Sequence, residues 1–237
     1  MNLDTVLADL KSMGNPEVRA GLARFGVNAE HALGLEMPKI RMLAKTIGRD
    51  HALALGLWGS GIHEARILAG LVDDPRAVTE EQMEAWVAQF DAWDVCDQVC
   101  GSLFDKTPFA LAKAAAWSAR NEEYVKRAGF ALMASLAVHD RQAKDEAFLA
   151  FLPMIEREAV DDRNFVKKAV NWALRQIGKR NIKLNASAVA CAKRIAACDE
   201  RSARWIASDA LKELTDAKIV ERVAAKAVPG HRKGHPS

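Results

Sequence analysis

Little in this sequence breaks a helix. Its 237 residues include only 14 Gly and 7 Pro, too few for a disordered or collagen-like chain. No apolar run approaches the ~20 residues that a membrane helix needs. The opening "MNLDTVLADLKSMG" carries acids and no basic-then-apolar block, so no secretory leader is expected. Cysteines are scarce, and their spacings of four (Cys96, Cys100) and seven (Cys191, Cys198) differ from the tight C-x2-C of zinc sites. They read as reduced thiols of a cytoplasmic protein that act as small buried hydrophobes, with no metal. His63-Glu64 lacks the second histidine of H-E-x-x-H, and His63 reads as a helix-start residue. No G-x-x-x-x-G-K-[ST], G-x-G-x-x-G or G-x-S-x-G is present, so nucleotide hydrolysis and serine-esterase chemistry have no support.

Half of the residues are hydrophobic, and the length suffices for a sizeable core. Net charge is only +3, yet it is unevenly placed. Residues 163–237 hold 17 Lys and Arg against 6 Asp and Glu, whereas residues 1–162 hold 17 against 25. A polyanion facing the second half would account for this, and so would solvated helix faces.

Apolar residues recur at three- and four-residue spacing almost throughout, as in Ile40-Leu43-Ala44-Ile47 and Phe148-Phe151-Leu152-Ile155. No alternation is sustained enough for a strand. Alanine is abundant, which favours helix and lets helices approach closely. Prolines in "MGNP", "GLEMP", "VDDP" and "DKTP" stand at or near the first turn of a following helix, where a missing N–H does no harm. The expectation is an all-α chain of about a dozen helices. We expect one domain over residues 1–227 and a mobile basic tail over 228–237, whose cations add at most diffuse attraction to DNA.

Four segments share a pattern: "HEARILAGL", "YVKRAGFAL", "FVKKAVNWAL" and "SARWIASDAL". Each places a cation (Arg66, Lys126, Lys167 and Arg204) ahead of small and apolar residues at helical spacing. The intervals of 41 and 37 residues fall near the period of HEAT and armadillo helix pairs. Stacked pairs curve into a solenoid whose concave face is lined by the second helices. A cation repeated at one position would lay a positive stripe along that face, although each could instead pair with a nearby acid.

Two further segments join large rings to charge. "DAWDVCDQVC" puts Trp93 and Asp97 four residues apart, on one face of a helix. "NWALRQIGKRN" puts Trp172 one turn before Arg175 and then runs into Lys179 and Arg180. A tryptophan at such a place is commonly a core plug, and the aspartates could simply be solvated.

Taken in order, these residues resemble a known family. The chain is similar to the DNA alkylation repair family of HEAT-like glycosylases, the AlkD-like proteins, from about residue 20 to about residue 181. The resemblance is carried by "ARF…GLEMPKIR", "HEAR", Trp93-x-x-x-Asp97, "KRAGFAL" and "FVKKAVNWALRQIGKRN". It implies a monofunctional glycosylase of base excision repair that removes cationic alkylated purines, N3-alkyladenine and N7-alkylguanine, from duplex DNA without rotating the base into a pocket. It implies Asp97 as the catalytic carboxylate, Trp93 and Trp172 as rings cradling the deoxyribose, and Arg127 as the grip on the adjacent phosphate. Backbone contacts would come from Lys39, Arg41, Arg66, Lys126, Lys167, Lys168, Arg175, Lys179 and Arg204. The implied protein is a cytoplasmic monomer that joins the nucleoid when acting on DNA and needs no cofactor. Where well-known members carry Tyr, this sequence has Phe25. An apparent insertion near "HDRQAKDEA" reads as a longer inter-helix loop.

These residue types suit that chemistry on their own terms. A cationic base is already a good leaving group, so positive charge develops chiefly on the sugar. A carboxylate stabilises that charge and indole faces add negative quadrupole density. Arginine can hold a phosphate in two places. Two other readings stay open: a non-catalytic HEAT-repeat binder of damaged, bent or branched DNA, and a protein-interaction solenoid.

Overall fold

The structure is a computed structural model that describes residues 1–226, so the tail expected over 228–237 lies outside the described residues. Among the described residues there are fourteen α-helices, two 3-10 turns and no strand, as the periodicity predicts. The helices are α1 (Leu3–Ser12), α2 (Pro16–Gly21), α3 (Met37–Ile47), α4 (His51–Gly59), α5 (His63–Val72), α6 (Glu80–Val87) and α7 (Trp93–Ser102). They continue with α8 (Ala110–Ser118), α9 (Glu123–His139), α10 (Asp145–Glu158), α11 (Asn164–Gly178), α12 (Ile182–Ile195), α13 (Arg201–Leu214) and α14 (Ala217–Ala225). The chain divides into two compact units, Met1–Leu132 and one that begins at Met133.

Short polar side chains start many of these helices. Asn2, Asn15, Asp50, Thr79, Asn181 and Asp216 each accept a hydrogen bond from a first-turn N–H that would otherwise lack a partner. Pro16 and Pro38 fall in the first turns of α2 and α3, as expected. Pro75 does not open a helix: α6 starts only at Glu80, and Asp74 accepts from the Arg76 N–H in a turn ahead of the Thr79 cap. The longer connection expected near "HDRQAKDEA" narrows to residues 140–144 between α9 and α10.

In the first unit α5 packs against α3, α4 and α7. Its core is built on rings: the Trp58 and Trp86 indoles stack at 4.1 Å, and Phe90, Phe104 and Trp117 extend the cluster. Glu64 is buried, and its carboxylate accepts from the Leu33, Gly34 and Leu35 N–H groups at 2.8, 2.6 and 3.1 Å. This clasp pins the "GLEMP" loop to α5. Gly34 sits there at φ 80°, and an added Cβ would meet the Asn15 carbonyl oxygen at 2.2 Å.

In the second unit α11 packs against α10, α12 and α13. Its buried stripe runs Val166, Ala169, Val170, Ala173, Leu174 and Ile177, at helical spacing. Gly178 lets Leu214 approach: a Cβ there would lie 2.6 Å from a leucine methyl. The Asn185 amide donates to the Gly178 and Leu214 carbonyls, capping the ends of α11 and α13 together.

The repeat read from the sequence has a sharp structural form. Arg66, Lys126, Lys167 and Arg204 are each the fourth residue of their helix, in α5, α9, α11 and α13.

Glu64→Ala should leave three backbone donors without their partner and lower stability by about 2–3 kcal/mol, read as a fall in the thermal midpoint. A midpoint within a degree of wild type would show that the loop does not depend on this carboxylate.

Candidate functional site

Helix α7 carries the two candidate site residues, Trp93 and Asp97, one turn apart. The Trp93 indole N–H donates to the Phe25 carbonyl at 3.0 Å, which fixes the ring against the 3-10 turn of Leu22–Phe25. The Phe25 ring itself is 66% exposed beside that contact. One turn on, Asp97 meets Arg127 of α9 in a two-pronged ion pair: Nε donates to Oδ1 at 3.0 Å and Nη2 to Oδ2 at 2.7 Å. The Arg127 guanidinium lies 5.9 Å from the Trp93 ring centroid. Phe25, Trp93, Asp97 and Arg127 therefore stand together in the first unit.

The seam that sets this spacing is sulfur-lined. Cys96 and Cys100 point their thiols at the Tyr124 and Ala128 carbonyls of α9, both at 3.8 Å. These small residues let α7 lie close to α9 and bring Asp97 within reach of Arg127. Burial and the neighbouring Cys96 push the Cys100 thiol up, so it serves packing and not nucleophilic chemistry.

Burial raises the pKa of Asp97 above 3.8, against the Arg127 charge and hydrogen bonds that pull it down, and Asp94 adds to the rise. Asp94 is itself held 2.9 Å from His63 Nε2 at the start of α5. Burial by itself would lower the His63 pKa, but the Asp94 hydrogen bond and charge outweigh it and lift the ring above 6.5. A second use of "HEAR" thus emerges: His63 steadies the first turn of α7 while Glu64 holds the "GLEMP" loop.

The family profile described as DNA alkylation repair enzyme matches residues 6–214. This chain belongs to that family. A solved structure described as "A new family of proteins related to the HEAT-like repeat DNA glycosylases with affinity for branched DNA structures" is similar to it in fold, with a TM-score of 0.75 and 21% identity. The match covers 88% of this chain and 94% of that one. No curated protein matches.

The other residues expected of a DNA alkylation repair protein are placed as follows. Trp172 lies half-buried on α11 in the second unit. Lys39 and Arg41 are exposed on α3, and Lys168 and Arg204 are exposed on α11 and α13. Lys167 lies 5.7 Å from the ring centroid of Trp205, which is 41% exposed. Three expected contacts are engaged within the protein. Arg175 pairs with Asp209 at 2.9 Å and Glu213 at 3.2 Å, and Lys179 with Glu213 at 2.7 Å. Arg66 sits over Trp58 and reaches the Gln89 carbonyl and Asp91. Lys126 is 8% exposed. The stripe is therefore uneven, open at Arg204 and closed at Lys126, because α9 is wrapped on more sides than α13 at this position.

The exposed Trp205 ring beside Lys167 was not singled out from the sequence. A signal was present: the apolar stripe of α13 runs Ala203, Ile206, Ala207, Ala210 and Leu214, and Trp205 falls outside it.

The His63–Asp94 pair should stabilise the fold below pH 6.5, where the unfolded histidine is also protonated. That contribution is lost as pH rises through the higher folded-state pKa. His63→Gln should accordingly cost about 1–2 kcal/mol near pH ~5.5 and less near pH ~8.5. A penalty equal at both values would show that the ring acts by packing alone.

Proposed function

We propose that this protein is a monofunctional DNA glycosylase that hydrolyses the N-glycosidic bond of cationic alkylpurines in duplex DNA, without rotating the base into a pocket. The observation that carries this reading is the grouping of Asp97, Arg127 and Trp93, a carboxylate held by a two-pronged arginine that itself lies beside an indole ring.

The chemistry follows from charge. An N3-alkyladenine or N7-alkylguanine leaves as a neutral base, taking the electron pair of the C1′–N bond. Positive charge appears on C1′ and the ring oxygen of the sugar. Asp97, ionised, would stabilise that charge and orient a water whose oxygen bonds to C1′. The water's proton would pass to the carboxylate and then to solvent. Trp93 and Trp172 would offer ring faces to the polarised sugar. A cationic base needs no protonation, so no acid and no deep base-reading pocket are required.

Arg127 has two uses in this scheme. Its fork holds Asp97 at one angle, and a phosphate beside the lesion would draw on the same guanidinium. As the phosphate takes a share of the arginine, the carboxylate recovers negative charge for the sugar. Lys39, Arg41, Lys167, Lys168 and Arg204 would supply further backbone contacts and a salt-dependent affinity. Helix N-termini next to the fourth-position cations add attraction for phosphate.

A second reading is favoured by one observation. Both Asp97 oxygens are engaged by Arg127, and a carboxylate so neutralised is a weaker partner for a developing cation. In that reading the protein binds damaged, bent or branched DNA without cutting the glycosidic bond, an affinity that the structural relative's description gives to its own family.

Purified protein and Asp97→Asn, given duplex DNA with one N7-methylguanine, separate the two. Base release by wild type and a loss of at least ~100-fold in the variant is the expected result. DNA binding by both with release by neither would install the non-catalytic reading. The pH profile adds a second check: because the Asp97 pKa is raised, release should fall on the acid side through a value above 3.8. Arg127→Ala removes the opposing cation and should move that limb to higher pH while slowing release.

A further inference from the structure

A groove of about 800 Å³ in the second unit lies where α9, α11 and α14 end and α10 begins. Six cations line it, Arg141, Lys144, Lys179, Arg180, Arg222 and Lys226, against the single carboxylate of Asp145. Of the six, only Lys179 is part of the backbone-contact set expected from the sequence. We propose that this groove binds the phosphodiester backbone of a DNA segment, at a site made of residues separate from the Asp97 cluster. The proposal rests on the reading that the protein works on DNA, and not on whether it cuts the glycosidic bond.

Part of this charge has an internal explanation. Arg180 donates to the Ala137 carbonyl at 3.2 Å and the Ala143 carbonyl at 2.9 Å, with its guanidinium 4.3 Å from the Phe148 ring centroid. Lys226 donates to the Lys179 carbonyl at 2.7 Å, and Lys179 pairs with Glu213. Cations at helix C-termini are stabilised by the carbonyls exposed there. Backbone carbonyls hold such groups in position, yet they leave the formal charge in place. That account stops short of Arg141, Lys144 and Arg222. All three are exposed, and their side chains make no hydrogen bond or ion pair among the described residues.

Crowding these charges is unfavourable in the free protein. Burial lowers the pKa of Lys226, and Arg222, Lys179 and Arg180 lower it further. A polyanion would relieve that repulsion. The charge spread over one wide groove suits a run of phosphates better than a single one, since duplex DNA presents one negative charge per ~1.7 Å of axis. Asn181, tied to Asp145 at 2.8 Å, turns the lone carboxylate towards a neutral partner within the groove.

The test is binding of a lesion-free duplex by the full chain, followed by fluorescence anisotropy across a salt series. Arg141→Glu/Lys144→Glu/Arg222→Glu should weaken binding at least about tenfold and reduce the slope of log K against log salt by about 2–3. The matching Gln triple variant, with intact helicity and thermal midpoint, should show the same direction with a smaller loss. Unchanged affinity and slope in both triple variants would overturn the proposal, whatever the base-release assay gives. Tripolyphosphate distinguishes a small-anion site. If it raises the thermal midpoint of wild type and not of the Glu variant, while DNA affinity is the same for both, the groove takes small polyphosphates and the DNA assignment fails. Reduced DNA affinity with no base release by wild type would retain the groove and remove only the glycosylase reading.

Discussion

Asp97 and Arg127 stand thirty residues apart in the chain, and their two-pronged contact joins α7 to α9 beside the indole of Trp93. Much of the first unit is arranged so that this contact can form. The Cys96 and Cys100 thiols permit the close seam, the Phe25 carbonyl fixes the indole, and His63 holds Asp94 at the head of the same helix. A buried pair of this kind gains little net stability, because desolvating two ions offsets their attraction. Removing either partner is a different matter, since it strands the other charge. Such a pair fixes geometry more than it stabilises the fold.

The fold was legible in the sequence for a physical reason. Helix pattern is local: three- and four-residue spacing and Pro at or near a first turn were present along the chain. The fourth-position repeat was equally legible, because it depends on register within a helix and not on what packs around it. Trp93 and Asp97 could be placed on one face from spacing alone, and the family resemblance gave roles to them, to Arg127 and to Trp172. Contacts across long sequence separation were not legible. Nothing in "HEAR" says that Glu64 accepts three N–H groups from residues 33–35, or that His63 reaches Asp94. Lys126 illustrates the same limit: its register matches Arg204, but its burial is set by how many neighbours surround α9. Pro75 misled for a local reason, since Asp74 had already closed a turn ahead of the true cap.

Formal charge proved a poor guide to available charge. The excess of cations after residue 162 suggested one basic face, yet Arg175 and Lys179 are answered by Asp209 and Glu213, one helix away. Among the described residues, two groups of cations without a carboxylate partner stand out. One is the exposed starts of α11 and α13, with Lys168 and Arg204 and the ring of Trp205 beside Lys167. The other is the groove where α9, α11 and α14 end. The first combines cations with helix N-termini, both attractive to phosphate. The second sets cations against helix C-termini, whose carbonyls partly satisfy them. An anion should therefore be held more firmly, charge for charge, at the starts than at the ends, and the groove compensates by number.

This difference bears on how a cationic lesion could be handled at all. On the proposed reading, a cationic purine and Arg127 would carry the same sign, so a site dominated by free positive charge would repel the base. Clamping Arg127 to Asp97 sets one charge against the other, and the Trp93 ring lies 5.9 Å from the same guanidinium. Net attraction for DNA would then come from cations outside the cluster, which would meet phosphates and not the base. Separating backbone charge from site charge in this way lets one protein bind a polyanion tightly and still tolerate a cation at its centre. The open cations of α11 and α13, and the groove at the ends of α9, α11 and α14, would supply such charge from residues other than the Asp97 cluster.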